Sequence, residues 1–188
     1  SAFLFGDGGV AALVERDEKF GKSYFSLNSD GSRADLIMIK GGGYRHPSSE
    51  ETLREKVVDE YGNIRSDEQG YMQGGDVFNF VIREIPRDIK KTLEYAGDTA
   101  DSFDYIVFHQ ANNFINAYIA KKMKLDTDKI PSTIAKYGNT SSVSVPLTIV
   151  SELKDRLYGN KKLLLSAFGV GMTWATGRSE ERRVGKEC

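Results

Sequence analysis

The stretch FDYIVFHQANNFINAYIAKKMKL, residues 103–125, carries the pattern that decides the fold. Its β-branched and aromatic run YIVF predicts a buried strand, after which Ile115, Ile119 and Met123 recur on one side of a helix. His109 falls at the junction between this strand and this helix. Because alternation of strands and helices is the mark of layered α/β architectures, the stretch predicts an α/β domain.

Two further strands are predicted near the end of the chain. The apolar runs LLLSAF and GMTWAT flank the glycine turn Gly169-Val170-Gly171. Before them, apolar residues repeat at helical spacing from Val143 to Leu157, with serines as candidate N-caps. Hairpin-like connections mixed with strand–helix–strand units favour a mixed sheet with helices packed on it.

The first forty residues are expected to be rich in strands. AFLFGDGGVAALVERD, at 2–17, predicts two short strands joined by a glycine turn. KSYFSLNSDG and ADLIMIKGGG predict a strand, a turn and an extended apolar stretch. Residues 41–73 are polar and interrupted by glycine, so we expect a long excursion with at most a short helix near Glu50 to Tyr61.

A long amphipathic helix is predicted to follow this excursion. Apolar residues recur at helical spacing from Val77 to Leu93, and Gly97 stands where a helix stop is expected. Pro86 lies inside this pattern and lacks a backbone donor. It predicts a kink or two abutting helices.

Charge and cysteine content exclude several classes of function. The 188 residues include 26 basic and 27 acidic side chains, so a broad attraction to nucleic acid or an anionic membrane is not expected. No apolar run approaches the roughly 20 residues that span a bilayer. The single cysteine, Cys188, rules out an internal disulfide or a cysteine-rich metal site. A cytoplasmic protein is the expectation.

Of the two histidines, only one lies in a context that suggests chemistry. His46 precedes a proline in a polar loop, which is typical of a surface residue. His109 ends a strand and opens a helix, where ligands bind in open α/β sheets. The helix dipole disfavours an imidazolium there, so a neutral ring that donates a hydrogen bond is expected. A capping or core histidine is the competing interpretation.

Asn139, in GNTSS, also has two interpretations. Gly-Asn before Thr-Ser-Ser is ordinary turn and capping chemistry. Alternatively, its amide and a neutral His109 would form a two-point cradle for an oxyanion or enolate. No nucleophile accompanies them, since residues 1–177 contain no cysteine and no serine has an identifiable base.

Taken together, five motifs resemble one family. LFGDG, MQGGDVF, FHQAN, YGNTSS and SAFGVGMTW occur in the order and approximate spacing seen in the C-terminal half of β-ketoacyl-acyl-carrier-protein synthase III. The resemblance covers residues 2–177 and implies the C-terminal half of a thiolase-like fold, with the N-terminal half missing. The domain is therefore predicted at 1–177, and RSEERRVGKEC, at 178–188, is predicted to be a non-native or disordered tail that replaces the end of the last strand.

The resemblance implies an acyltransferase that performs a decarboxylative Claisen condensation in fatty acid biosynthesis. His109 and Asn139 would hold the malonyl thioester carbonyl and stabilise the enolate. The nucleophilic cysteine belongs to the absent half, so the chain alone is expected to be inactive. No cofactor or metal is implied, because substrates arrive on acyl carrier protein or coenzyme A. A homodimer is expected for the full-length enzyme.

The resemblance also implies residues that contact substrate. Those matched to the carrier protein or pantetheine arm are Gln110, Ala111, Asn112, Asn113, Phe114, Gly74 and Phe78, and those matched to the oxyanion and acyl pocket are Phe168, Gly169 and Val170. Phe114 replaces a basic residue often found there, which leaves carrier protein or coenzyme A open. Val170 replaces a glycine and is expected to change the backbone angle or narrow the acyl pocket.

Two other functions remain open. One is a non-catalytic module that binds a pantetheine thioester or a partner. The other is a related condensing enzyme with a different acceptor.

Overall fold

The computed structural model describes residues 4–14, 16, 18–19 and 21–181. The strands are β1 (Tyr24–Ser29), β2 (Ile37–Met38), β3 (Lys56–Val57), β4 (Ile64–Arg65), β5 (Tyr71–Met72), β6 (Tyr105–Phe108), β7 (Lys161–Gly169) and β8 (Thr173–Glu181). The α-helices are α1 (Glu50–Leu53), α2 (Gly74–Ala96), α3 (Asn113–Met123), α4 (Ile134–Tyr137) and α5 (Ser144–Glu152).

The main sheet has the strand order β1, β8, β7, β6. β6 and β7 run parallel, whereas β8 is antiparallel to both of its neighbours. The mixed sheet predicted from the sequence is therefore confirmed. Two small antiparallel pairs, β2 with β5 and β3 with β4, lie outside it.

Side chains alternate across the sheet and build an apolar cluster on each face. Ile106 and Phe108 of β6 pack with apolar residues of α2 and α3, while Val107 packs with Leu153 and Leu163 on the other face. The second cluster is covered by α5, whose Val145 and Ile149 contact it. Helices thus cover both faces, which confirms the layered α/β prediction.

The long helix α2 is one continuous element. Gly97 ends it in the left-handed conformation, with φ of 69°, and donates its N–H to the carbonyl of Glu94. Of the two outcomes predicted at Pro86, two abutting helices are wrong, and a kink stays a prediction. Pro86 is buried, and Ile85 and Ile89 on either side of it pack into the same core, which holds the helix together across the missing donor.

A buried carboxylate ties α2 to the sheet. Asp88 is only 5% exposed and accepts hydrogen bonds from Ser26 Oγ (2.6 Å), Asn28 Nδ2 (2.8 Å) and Thr176 Oγ1 (2.7 Å). Because buried polar groups are costly unless they are paired, these three bonds fix how α2 lies against β1 and β8.

The predicted strand–turn–strand unit at the start of the chain is wrong for its described part. Residues 4–14 form no strand, while residues 1–3, 15 and 17 lie outside the described residues. Instead Phe5 makes a single parallel bridge with Asn139, where Asn139 N–H donates to Leu4 O and Gly6 N–H donates to Asn139 O. Leu4 to Gly6 pair with the turn before α5 because the backbone N–H and carbonyl of Asn139 in this turn bond to them.

Other predicted boundaries shift. The helix near Glu50 stops at Leu53, and the apolar stretch before the excursion contributes only β2, because a 3-10 turn takes Gly31–Leu36. The helix predicted through Leu157 ends at Glu152 because the chain turns there, although Leu153 and Leu157 remain buried.

The C-terminal strand is longer than predicted. β8 continues to Glu181, so residues 178–181 form the end of the last strand, and the prediction that a disordered tail begins at Arg178 is wrong for these residues. Pairing with β1 as far as Arg178 and with β7 as far as Glu181 holds it in the sheet. A foreign origin for residues 178–188 stays a prediction, and residues 182–188 lie outside the described part. Among the described residues, no helix is long and apolar enough to cross a membrane.

The packing of Leu4 to Gly6 against the turn before α5 is testable by mutation. A Cβ added at Gly6 would lie 1.8 Å from Tyr137 O, so we expect Gly6→Ala to lower the free energy of unfolding by about 1–3 kcal/mol. A Cβ at Gly9 meets nothing within 4 Å, so Gly9→Ala is the matched control, with a change within about 0.5 kcal/mol. Urea denaturation of both variants measures the difference; equal midpoints would contradict this packing.

Candidate active site

A cavity of about 750 Å³ opens where β6 and β7 end. His109 follows β6, and Phe168 to Val170 lie at the end of β7 and in the turn after it. Because β6 and β7 are parallel, their carboxyl ends meet at the same edge of the sheet, the usual position of ligand sites in α/β folds. Asn139 lines the same cavity as His109.

His109 is held by four contacts. Its main-chain N–H donates to Ser166 O at 2.8 Å, and its carbonyl accepts from Asn116 Nδ2 at 3.1 Å. Its Nδ1 lies 2.6 Å from Ser144 Oγ. The ring also meets Phe168 in an edge-to-face contact, with centroids 5.2 Å apart. These contacts fix the backbone and the ring, and they turn Nε2 away from Ser144.

Burial keeps the His109 ring neutral. It lowers the pKa of His109 from 6.5 to about 4, because the charged ring loses its water. At neutral pH the imidazole therefore has a single N–H, and it acts as a hydrogen-bond donor rather than as a cation. This agrees with the neutral ring expected at a helix N-terminus.

The amide of Asn139 has a defined orientation. Ser141 N–H donates to its Oδ1 at 2.9 Å, and a backbone N–H can only donate, so this atom is the oxygen. The amide nitrogen Nδ2 therefore carries the two hydrogens that this side chain can donate. Asn139 is 9% exposed, and its own main chain is bonded to the segment at Leu4 to Gly6.

Most residues predicted for the site do line the cavity. They are Gly74, Phe78, His109, Ala111, Asn112, Asn139, Phe168, Gly169 and Val170. Asn112 has a second task, since its Oδ1 accepts from Ile115 N–H and caps α3. The roles that the resemblance gives these residues toward substrate stay predictions.

Three predicted contacts do not line the cavity: Gln110, Asn113 and Phe114. Gln110 is fully buried, and its amide is used inside the protein. Asn113 Oδ1 accepts from Ser132 Oγ. Phe114 is 68% exposed and stacks on Phe78, with ring centroids 5.5 Å apart.

Val170 does not carry the unusual backbone angle that the sequence suggested. Among the described residues, positive φ values outside glycine occur at Lys124 and Ser141 alone. In the turn after β7 the positive φ of 139° belongs to Gly171. Val170 is accommodated because its side chain is 62% exposed at the cavity rim.

Sequence reasoning missed the residues that support His109. Ser144 was visible only as one of several helix-capping serines, and Asn116 as a polar residue on α3. A usable signal is present for Asn116, because it falls on the buried side of α3 beside Ile115 and Ile119. Nothing in the sequence links Ser144 to a residue 35 positions earlier.

The cavity walls are uncharged. Among the described residues that line it there is no Asp, Glu, Lys or Arg. The described part of the chain also has no group of three His, Cys, Asp or Glu residues that could hold a metal ion. The polar groups facing the cavity are an imidazole, amides and hydroxyls, which suits hydrogen bonding to a carbonyl oxygen.

Known proteins that are similar to this chain include synthase III enzymes. Residues 93–177 match the family described as "3-Oxoacyl-[acyl-carrier-protein (ACP)] synthase III C terminal". The β-ketoacyl-[acyl-carrier-protein] synthase III of Streptococcus pneumoniae (strain Hungary19A-6) is 34% identical over 180 residues, which are 94% of this chain and 52% of that protein. The resemblance is confirmed.

Solved structures of synthase III share the fold. A 2.1 Å crystal structure of a 3-oxoacyl-(acyl-carrier-protein) synthase III is 35% identical, with a TM-score of 0.79 over 89% of this chain and 49% of that one. The Thermus thermophilus synthase III is 30% identical, with a TM-score of 0.77 over 95% of this chain and 52% of that one. The chain spans about half the length of the synthase III relatives it matches.

The burial of His109 has a consequence for stability. Because its pKa is lowered to about 4 in the folded state from 6.5, the unfolded state binds more protons between these values. The free energy of unfolding is therefore not reduced by His109 above pH 6.5, and it decreases as the pH falls toward 4, because protonation of His109 favours the unfolded state.

Between pH 6.5 and pH 4, we expect the free energy of unfolding to fall by about 3 kcal/mol more in wild type than in His109→Gln. Denaturant unfolding at a series of pH values measures the difference. His46→Gln is the control, since it removes an exposed histidine and leaves His109 in place. Equal pH dependence in wild type and His109→Gln would contradict the buried neutral ring.

Proposed function

We propose that this chain supplies the His–Asn part of the active site of a ketoacyl synthase III-like acyltransferase. The reaction is the decarboxylative Claisen condensation of an acyl thioester with malonyl-acyl-carrier protein, in fatty acid biosynthesis. The observation that carries the proposal is the placement of His109 and Asn139 in one uncharged cavity, with a neutral imidazole and an oriented amide.

In this reaction the two residues act on the malonyl thioester oxygen. When the bond to the carboxylate breaks, its electron pair passes through the new carbon–carbon double bond to that oxygen, and carbon dioxide leaves. The His109 Nε2–H and an Asn139 Nδ2–H donate to the oxygen as its charge develops. The enolate carbon then attacks the acyl thioester carbonyl, and the thiolate of the acylated cysteine leaves.

The chain needs the remaining part of such an enzyme. Residues 1–177 contain no cysteine, so the acylated thiol must come from the half of the relatives that this chain does not cover. On the sheet face that carries α5, Phe25 and Leu27 of β1 are 63% and 80% exposed. An open apolar surface beside the cavity is where the other half would pack.

The proposal includes the carrier and the assembly. Acyl carrier protein or coenzyme A presents the thioester, no further cofactor is required because the thioester accepts the electrons, and the complete enzyme is a cytoplasmic homodimer. Phe114 stacks on the cavity residue Phe78 and leaves open whether acyl carrier protein or coenzyme A is the carrier. It presents an apolar ring where the family often has a basic residue.

A chimera tests the activity. We would join the whole 188-residue chain to the N-terminal half of the Streptococcus pneumoniae synthase III and measure carbon dioxide release from malonyl-carrier protein and malonyl-coenzyme A. Release is expected, and His109→Ala or Asn139→Ala should lower kcat by about 100- to 1000-fold, as for an oxyanion-hole donor. His46→Ala, in an exposed loop, is the control and should retain activity.

A chimera that unfolds cooperatively and releases no carbon dioxide would overturn the proposal. Binding of malonyl-coenzyme A without release would favour the non-catalytic module. Should the chimera not fold, the isolated chain can be titrated with malonyl-coenzyme A and followed by nuclear magnetic resonance (NMR). The His109 and Asn139 side-chain signals are then expected to shift while those of His46 stay in place.

A further inference from the structure

Ser144 has contacts that the proposed reaction does not explain. It is the first residue of α5 and is 1% exposed. Its Oγ lies 2.6 Å from His109 Nδ1 and 3.3 Å from the main-chain nitrogen of Gln110. These are its hydroxyl contacts among the described residues. A buried hydroxyl between a histidine ring and a backbone amide constrains where the hydrogens lie.

The hydrogens can be assigned from the chemistry of the groups. The Gln110 N–H can only donate, so Ser144 Oγ accepts there. The hydroxyl hydrogen then needs an acceptor, because a buried unpaired donor is costly. His109 Nδ1 is the acceptor within reach, at 2.6 Å. A ring nitrogen that accepts carries no hydrogen, so the single hydrogen of the neutral ring is on Nε2.

We propose that Ser144 is a positioning residue that holds His109 in the Nε2–H tautomer, through the relay Gln110 N–H to Ser144 Oγ–H to His109 Nδ1. The assignment of the tautomer stands on the hydrogen bonds alone. Its catalytic consequence rests on the proposed function: in the other tautomer Nε2 would present a lone pair to the thioester oxygen and repel it.

The groups on either side of the relay are themselves fixed. The Ser144 carbonyl accepts from Thr148 Oγ1 at 2.8 Å, and Thr148 Oγ1 also meets Thr133 Oγ1 at 2.8 Å. On the other side Asn116 holds the His109 carbonyl. The hydroxyl therefore stays opposite Nδ1 and cannot follow the ring if the ring turns.

NMR of the nitrogen-15 histidine-labelled 188-residue chain at neutral pH tests the tautomer. The two histidines give two ring systems, and exposed His46 is the internal reference. We expect His109 Nε2 to be the protonated nitrogen, with an excess of about tenfold over the other tautomer. Ser144→Ala should abolish this excess, and Ser144→Thr, which keeps the hydroxyl, should restore it.

The same variants have a catalytic readout in the chimera. Ser144→Ala is expected to lower kcat for malonyl decarboxylation by about twofold with little change in KM, because the ring still occupies its place but the active tautomer falls to about half of the population. Ser144→Thr should recover most of the rate. A general loss of folding would lower the thermal midpoint together with the rate, whereas loss of the tautomer preference alone lowers the rate at an unchanged thermal midpoint.

The outcomes separate this inference from the proposed function. A wild-type spectrum with the hydrogen on His109 Nδ1 overturns the inference even if the chimera is active. This measurement uses the wild-type chain, so it does not depend on the folding of any variant. An unchanged tautomer ratio in Ser144→Ala overturns it as well. A wild-type spectrum with the hydrogen on His109 Nε2, together with loss of this preference in Ser144→Ala, supports the inference even if the chimera is inactive. In that case only the proposed function fails.

Discussion

The hydrogen bond from the His109 main chain to Ser166 O is the constraint on which the site depends. It extends the parallel pairing of β6 with β7 one residue past Phe108, so the histidine still belongs to the sheet when the chain turns toward α3. Rigid placement matters because hydrogen-bond donors aid a reaction only where charge develops. The sheet does not hold the carbonyl or the ring of His109. Asn116 bonds to the carbonyl, and Ser144 bonds to the ring.

Gln110 connects the histidine to the asparagine. Its Nε2 donates to Phe108 O, while its Oε1 accepts from Thr133 N–H at 3.0 Å. It therefore joins the end of β6 to the segment that leads through α4 to Asn139. On the far side of that turn, the backbone of Leu4 to Gly6 bonds to Asn139 itself. The buried Gln110 side chain and the main chain of Leu4 to Gly6 thus set the distance between His109 and Asn139, which are far apart in the sequence.

The sequence predicts those parts whose signal is local. The strand β6, the helix α3 and His109 between them follow from apolar periodicity within 23 residues, and the motifs place Asn139. The structure buries Gln110, which the resemblance assigns to substrate binding, and a polar side chain in a motif looks the same whether it faces a ligand or the interior. Burial alone separates the two cases.

The rest of the structure depends on distant partners. Asp88 lies within the predicted helix α2, but its acceptance of three hydrogen bonds from two strands could not be inferred without the strand order. Residues 4–14 have strand-like composition, yet a strand forms only where a partner offers its backbone. The same limit applies to Ser144, whose partner is set by packing.

The neutrality of the cavity fits a reaction that discards a carboxylate. A lysine or arginine there would bind the malonyl carboxylate before decarboxylation, and stabilising a group that departs raises the barrier rather than lowering it. Neutral donors at the thioester oxygen gain strength only as charge arrives. Burial of His109, which keeps its pKa at about 4, and walls without Asp, Glu, Lys or Arg among the described residues would therefore serve the same end in the proposed reaction.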